Sequence, residues 1–384
     1  MITITDKSQC SGCTACATSC GVKAIKMVAD SQGFKYPVVD TAKCVDCGIC
    51  EKVCPFKPGF HYTETPMHLY GARLKTASEL AKSQSGGAFK AIADWAIDND
   101  YTVYGASFDK AFNVKHEKAK SKDEIERFRG SKYVQSDLDG IFADIVQKLR
   151  KHEKVLFTGT GCQIAGLKSL CKQKHIDTST LLTVDLICYG APSPQYWQDY
   201  LQYIRKKFKH DIVQFRFRDK VACGWNSSQS SITFDNGKKI FPANNFYNTL
   251  LFRRSCSVCP YTSFSRTSDI TIGDFWGIEK IKPEYLEDNR GISLMMIHTS
   301  QGSRVFDTIK NNLDYFETDK ETASQPQLQR PNPMHPKKDA WEKTYEDKGF
   351  ERAIRRFGII ADPNPVRVRL GALKHKLFDT LFHK

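Results

Sequence analysis

A chain of 384 residues with 40% hydrophobic content, 24 glycines and 15 prolines has the composition of a folded protein of two or three domains, not of a disordered or repetitive one. Its 57 Lys and Arg against 43 Asp and Glu leave a net charge of +14, which favours anionic partners (phosphates, acidic cofactors, nucleic acid or a lipid surface) without choosing among them. No apolar run approaches the roughly 20 residues that cross a bilayer, and Met1–Asp6 has neither the basic start nor the apolar stretch of a signal peptide. A cytoplasmic protein is therefore expected, and its fourteen cysteines read as metal ligands in preference to disulfides.

The first segment is ruled by two cysteine runs: Cys10, Cys13, Cys16 and Cys20, then Cys44, Cys47, Cys50 and Cys54 followed by Pro55. Both have the bacterial ferredoxin spacing, in which three close thiolates wrap one 4Fe–4S cluster and the fourth reaches the other. That assigns Cys10, Cys13, Cys16 and Cys54 to one cluster, and Cys44, Cys47, Cys50 and Cys20 to the second. Ser11, Gly12, Thr14, Ala15 and Gly48 are small enough for the backbone to approach a cubane. A pair of zinc sites is the rival reading, and two complete four-cysteine runs disfavour it. Gly21 departs from the Pro usual at that position.

A second unit opens at Tyr70-Gly71-Ala72. Periodicity predicts helices over 88–98, 138–151, 163–172 and 195–208, with strands over 102–108, 155–158 and 182–187. Strand-like stretches follow at 212–218, 230–234, 270–272 and 291–297. The order implies an α+β ferredoxin-like dicluster domain over 1–62, closed by a linker near 58–66, and then a larger α/β domain with a mixed sheet over 68–320. Residues 321–384 read as a linker and a basic C-terminal helical tail. Within the tail, Val368, Leu370, Leu373, Leu377, Leu381 and Phe382 make one apolar stripe, with Arg367, Arg369, Lys374, Lys376 and Lys384 around it. Such a helix would dock on the protein itself, or make peripheral membrane contact through 366–384.

Six cysteines remain. Cys162 and Cys188 each lie just past the carboxyl end of an expected parallel strand, where open α/β sheets place their ligand crevice. With the Cys256-x2-Cys259 pair they supply four ligands for a third 4Fe–4S cluster. The alternative is two buried structural thiols, with a zinc or nothing at the pair. Cys171 and Cys223 have no partner spacing. Ser85, Gly86 and Gly87 precede a helix, where Ser85 would cap and the free amides would grip a phosphate. Arg129, Ser131 and Lys132, beside Tyr133, would add cations and an aromatic face. Each of these segments has a purely structural reading as a cap or a solvated turn.

Taken together, these segments resemble the coenzyme F-420 hydrogenase/dehydrogenase beta subunits over about residues 1–300. The resemblance runs through the ferredoxin pair, Ser85-Gly86-Gly87, Arg129-Gly130-Ser131-Lys132-Tyr133, Thr158–Gln163, Val184–Gly190, Phe217–Lys220, Cys256-x2-Cys259 and Asp269–Gly277. It implies FAD beside an inner third cluster, with Ser85, Gly86, Gly87, Arg129, Ser131, Lys132 and Trp276 as cofactor contacts. Arg218, Lys220 and Asp274 become the substrate-side catalytic candidates. The implied activity is that of an iron–sulfur flavoprotein oxidoreductase exchanging electrons between an organic substrate or deazaflavin and a redox partner protein or ferredoxin. Gly161 and Tyr189 depart from the family's usual Pro and His. The rival is an electron-transfer subunit without small-molecule catalysis of its own. A nucleic-acid binder is disfavoured, because the basic residues are scattered and no nucleic-acid module is recognisable.

Overall fold

The computed structural model describes residues 1–57 and 65–359. The linker expected near 58–66 and the amphipathic tail over 366–384 lie wholly or largely outside them. Among the described residues no helix is long and apolar enough to cross a membrane.

In the ferredoxin unit each cysteine run enters a short helix, α1 (Ala15–Ser19) and α2 (Ile49–Lys52). The residues before them, Thr14 and Gly48, both adopt left-handed backbone, so the two runs fold alike. Strands β1 (Ile25–Ala29) and β2 (Lys35–Val39) lie between them as an antiparallel hairpin.

The larger unit is built on eight strands. In chain order its elements are β3 (His68–Leu74), α3 (Ala88–Asp98), β4 (Thr102–Phe108), β5 (Val114–Ala119) and α4 (Ile141–Arg150). Next come β6 (Val155–Thr160), α5 (Gly161–Gln173), β7 (Leu181–Leu186) and α6 (Pro194–Phe208). Strands β8 (Ile212–Arg216), β9 (Ser231–Phe234) and β10 (Lys239–Ile240) follow, then β11 (Ile270–Asp274), β12 (Ser293–Ile297), α7 (Ser300–Ile309), β13 (Leu313–Thr318) and α8 (Lys338–Arg356). The sheet order is β13-β3-β12-β11-β7-β6-β4-β5. Strands β11, β7, β6 and β4 are mutually parallel, and β12 and β5 flank them antiparallel. The sheet is therefore mixed, as the sequence implies.

Alternation along the central strands sorts side chains into two layers. Leu156, Leu182 and Ile270 face α3 and α7, while Val155, Phe157 and Leu181 face α4 and α5. The ferredoxin unit lies on this second layer, with Cys13, Ala15, Cys16 and Val53 packed among Phe142, Ile164 and Leu167. Strands β8 to β10 leave the main sheet and form a three-stranded sheet of their own. Phe215 and Phe217 on that arm pack against Trp197 of α6, which draws it away from the central strands. Helix α8 closes the same aromatic core through Trp341, Tyr345 and Phe350.

Candidate functional site: three cysteine sets and a sheet-edge constellation

One cavity is lined by Cys10, Cys13, Cys16 and Cys54, together with Gly12 and Pro55. These are three thiols of the first run and the last of the second, the crossed set that ferredoxin spacing expects. Burial pushes the Cys13 thiol up to about 12, and the neighbouring Cys54, Cys10 and Cys162 add to it. A buried group of thiolates needs a cationic centre among them, so this donor set fits an iron–sulfur cluster. At the second set, backbone N–H groups of Ile2, Ala24 and Asp46 donate to Cys50, Cys20 and Cys44 sulfurs at 3.2, 3.3 and 3.4 Å. Cys47 of this set is exposed, which puts the second site at the surface. Among the described residues no three His, Cys, Asp or Glu side chains converge on one point as a mononuclear ion requires. A cubane takes one thiolate at each of four irons, so its ligands stand apart.

The inner set follows from the register. Thr160 of β6 pairs with Leu186 of β7, and Leu186 with Ile272 of β11, so the three strands end level. Cys162 and Cys188 each stand two residues beyond those paired positions. Thr160 caps α5, its N–H donating to Gln163 Oε1 at 2.9 Å, and its hydroxyl lies 3.2 Å from Cys162 Sγ. The loop after Cys188 pairs with the segment leading to Cys256, through Arg253 N–H to Ala191 O at 2.9 Å and a Pro192–Phe252 bridge. Ala191 N–H then donates to Cys256 Sγ at 3.3 Å. Burial and the thiols of Cys256 and Cys162 push Cys188 up to about 12. Burial raises Cys259 too, with Cys162, Cys256 and Cys188 among its neighbours, so all four cysteines share one electrostatic site. Beside them Arg266, 1% exposed, has Nε and one Nη without a hydrogen-bond partner. Arg266 pairs with buried Asp185 at 3.4 Å and its charge also acts on Cys188, so its orphaned donors leave room for a further anion at this set. Cys171 stays a buried thiol on α5, and Cys223 stands half-buried at the end of a short turn.

The inner and first sets are neighbours. A Cβ on Gly166 of α5 would lie 2.8 Å from both Cβ and Sγ of Cys13. Tyr261, two residues after Cys259, feels Cys162, Cys13, Cys259 and Cys54 together, and its hydroxyl donates to Pro55 O at 3.3 Å.

At the carboxyl end of β11, at the same sheet edge, Asp274 accepts from Arg218 and, at 2.7 Å, from the Trp225 indole N–H. Arg218 also donates to the Trp225 carbonyl, and its guanidinium lies 5.3 Å from the Trp276 ring centre. Trp276 stacks on Trp225 at 5.0 Å and remains 40% exposed. Tyr133 and Tyr247, joined through their hydroxyls at 2.9 Å, act electrostatically on Arg218. Tyr247 also meets Tyr189, itself 40% exposed. Lys220 donates to the carbonyls of Leu80, Ser85 and Arg290, and burial pulls its pKa down to about 8. The three substrate-side candidates thus stand close together, with Lys220 turned to backbone.

The glycine and basic segments serve the fold. The Ser85 hydroxyl donates to Ile292 O at 2.7 Å and does not cap α3, whose N-cap is Gly87. Gly86 N–H donates to Ser293 Oγ at 3.0 Å, so it is not a free amide. Arg129 pairs with Glu79 and Glu126, and the ammonium of Lys132 donates to the carbonyls of Arg127 and Arg129. Burial of the ammonium pulls Lys132 down to about 7, while the residue as a whole is half-buried. Ser131 is half-buried between them. These donors do not form a ready phosphate cradle. Sequence reasoning missed Arg253, Arg266, Tyr261 and Tyr247, which belong to no motif; the one signal was Arg253 standing three residues before Cys256.

Residues 9–57 match the model of the 4Fe-4S dicluster domain, and residues 152–323 match that of the C terminus of the Coenzyme F420 hydrogenase/dehydrogenase beta subunit. The chain is similar to an F(420)H(2) dehydrogenase subunit of Methanosarcina mazei, with 22% identity over 81% of this chain and 85% of that one. An uncharacterized protein of Methanocaldococcus jannaschii is 24% identical over 78% of this chain and 86% of its own. Among solved structures, a chain of the F420-reducing NiFe hydrogenase complex from Methanosarcina barkeri is 17% identical, covering 78% of this chain and 93% of that one at a TM-score of 0.47. With these matches in one order, the chain joins a 4Fe-4S dicluster segment to a C-terminal segment of the coenzyme F420 hydrogenase/dehydrogenase beta-subunit family.

Proposed function

We propose that this chain is an iron–sulfur flavoprotein oxidoreductase, passing electrons between a reducible organic substrate or deazaflavin-type coenzyme and a partner redox protein. The observation that carries the reading is adjacency. Cys162, Cys188, Cys256 and Cys259 stand at the carboxyl edge of the sheet, and α5, which starts there, lays Gly166 against Cys13 of the ferredoxin unit. Substrate chemistry at the sheet edge thereby has a short path to the exposed Cys47 region, where a partner would dock. FAD, when bound, supplies the exchange between two-electron and one-electron transfer. Trp276 offers the ring a flat apolar face. Arg218, fixed by Asp274 and the Trp225 carbonyl, holds a positive charge beside it, and the Tyr133–Tyr247 hydroxyl pair can hold a proton there. The name of the Methanosarcina mazei relative supports a deazaflavin among the substrates.

The test is anaerobic purification with iron, sulfide and flavin counted per chain: about twelve irons and one FAD are expected, from three four-iron clusters and one flavin. About eight irons in both the natural chain and Cys162→Ser would remove the inner cluster. A second reading, an electron-transfer subunit that docks on a separate catalytic protein, is favoured by the engagement of Gly86, Arg129 and Lys132 inside the protein. A chain that carries clusters and never binds added FAD would establish that reading.

A further inference from the structure

Arg253 is 2% exposed, and its guanidinium reaches from the inner cysteine turn into the ferredoxin unit. Its own carbonyl accepts from Cys256 N–H at 3.0 Å, so its backbone is part of that turn. Its Nε donates to Cys10 O at 2.6 Å, one Nη to Gln135 Oε1 at 3.0 Å, and the other to Lys35 O at 2.9 Å. That last nitrogen also lies 3.5 Å from Cys10 Sγ. The guanidinium rests on Tyr36, 4.2 Å from the ring centre. Gly12 makes room for it, since a Cβ there would lie 2.9 Å from an Arg253 nitrogen.

None of these acceptors carries a formal charge apart from a thiolate. Neighbouring Arg254 pairs with Asp339 and Glu342, and buried Arg266 with Asp185. Among the described residues no carboxylate lies within ion-pairing distance of Arg253. A buried guanidinium without a counter-charge costs several kcal/mol, so the anion that balances it must be held by the cysteines. Cys10 belongs to the first set, and the charge of Arg253 also acts on Cys162 and Cys256 of the inner set.

We propose that Arg253 is the shared counter-cation of two adjacent iron–sulfur sites, a positioning residue that locks the Cys10 loop onto the Cys256 turn and raises the electron affinity of both. The proposal rests on the reading that clusters occupy these cysteine sets. Each electron added at either site increases its negative charge, which a fixed cation favours, and net charge and hydrogen bonds to sulfur are levers on cluster potential. The influence falls with distance, so the site holding Cys10 gains most. The site of Cys20, Cys44, Cys47 and Cys50 gains least.

The experiment is potentiometric titration of the full, anaerobically purified chain, followed by electron paramagnetic resonance, for the natural protein, Arg253→Gln and Arg253→Lys. Arg253→Gln should retain its iron and shift one cluster toward more negative potential by about tenfold in its reduction equilibrium, or about 59 mV for one electron. A second cluster should shift less and the third not at all, with Arg253→Lys recovering most of the change. Unchanged potentials at full iron content would overturn the proposal, as would an equal shift in all clusters. Should Arg253→Gln lose iron, recovery of the iron in Arg253→Lys supports the shared cation, and equal loss in both variants refutes it. A natural chain that binds no iron at all would instead bring down the cluster reading, and this inference with it.

Discussion

Asp274 holds two neighbours through one carboxylate, accepting from Arg218 on one oxygen and from Trp225 on the other. The Arg218 side chain is 3% exposed, so Asp274→Asn strands a buried guanidinium and should lower stability by about 3 kcal/mol. Denaturant unfolding with an unchanged slope and a lower midpoint would show it; a loss below about 0.5 kcal/mol would mean that Arg218 finds another anion. His116 gives a pH signature. Its ring is buried and its Nε2 lies 2.9 Å from Thr158 O, while Nδ1 has no partner. Burial lowers its pKa from 6.5 to about 4. The unfolded chain therefore binds the proton first as pH falls, and the contribution present above 6.5 is lost progressively toward pH 4. Between pH 7 and pH 5 that is about 2 kcal/mol. His116→Phe should flatten this slope, and an unaltered slope would assign acid sensitivity to other groups. The two ferredoxin cysteine runs were readable because their spacing is a local pattern, within the segment that matches the dicluster domain. Arg129 misled because Glu79, its partner, lies 50 residues away and no local pattern shows it.

Helix α3 and strand β4 stand where periodicity puts them, at 88–98 and 102–108, because both are bounded by glycine or polar turns, α3 is amphipathic, and β4 is buried along most of its length. The α4 helix is shorter than expected, since Gly140 in left-handed backbone starts it at Ile141. Strands β5 and β13 escaped notice, because edge strands with one exposed face, such as Val-Lys-His-Glu-Lys-Ala, carry little apolar signal. Helix α8 was hidden in the same way by its charged outer face. It is two helices joined at Gly349, which takes φ +72° and ψ 179°. That combination is essentially restricted to glycine, and a Cβ there would meet no atom within 4 Å. Gly349→Ala should therefore cost roughly 1–3 kcal/mol through the backbone alone, read as a lower thermal midpoint with the clusters intact. A neutral result would show that α8 can straighten without losing the packing of Trp341 and Phe350.

At the scale of the whole molecule, the sheet, the α4/α5 layer and the ferredoxin unit are stacked so that the cysteine sets follow one another outward. The inner set lies at the sheet edge, the set containing Cys13 lies against α5, and the set containing the exposed Cys47 lies at the surface. The sequence names the ligands but not this order, which depends on the small residue Gly166 and on Tyr261 far along the chain. The order makes a directional prediction. Cys162→Ser should keep about eight irons of the expected twelve, those of the ferredoxin pair. A small reductant such as dithionite, which reaches Cys47 from solution, should still reduce that pair at the natural rate. Reduced FAD supplied to the sheet edge should reduce it far more slowly, because the first relay is gone. Spectra of the ferredoxin clusters under each reductant separate the two routes. Equal reduction of the natural and Cys162→Ser chains by reduced FAD would mean that electrons enter the ferredoxin unit directly, and the stacked order would then have no part in electron transfer.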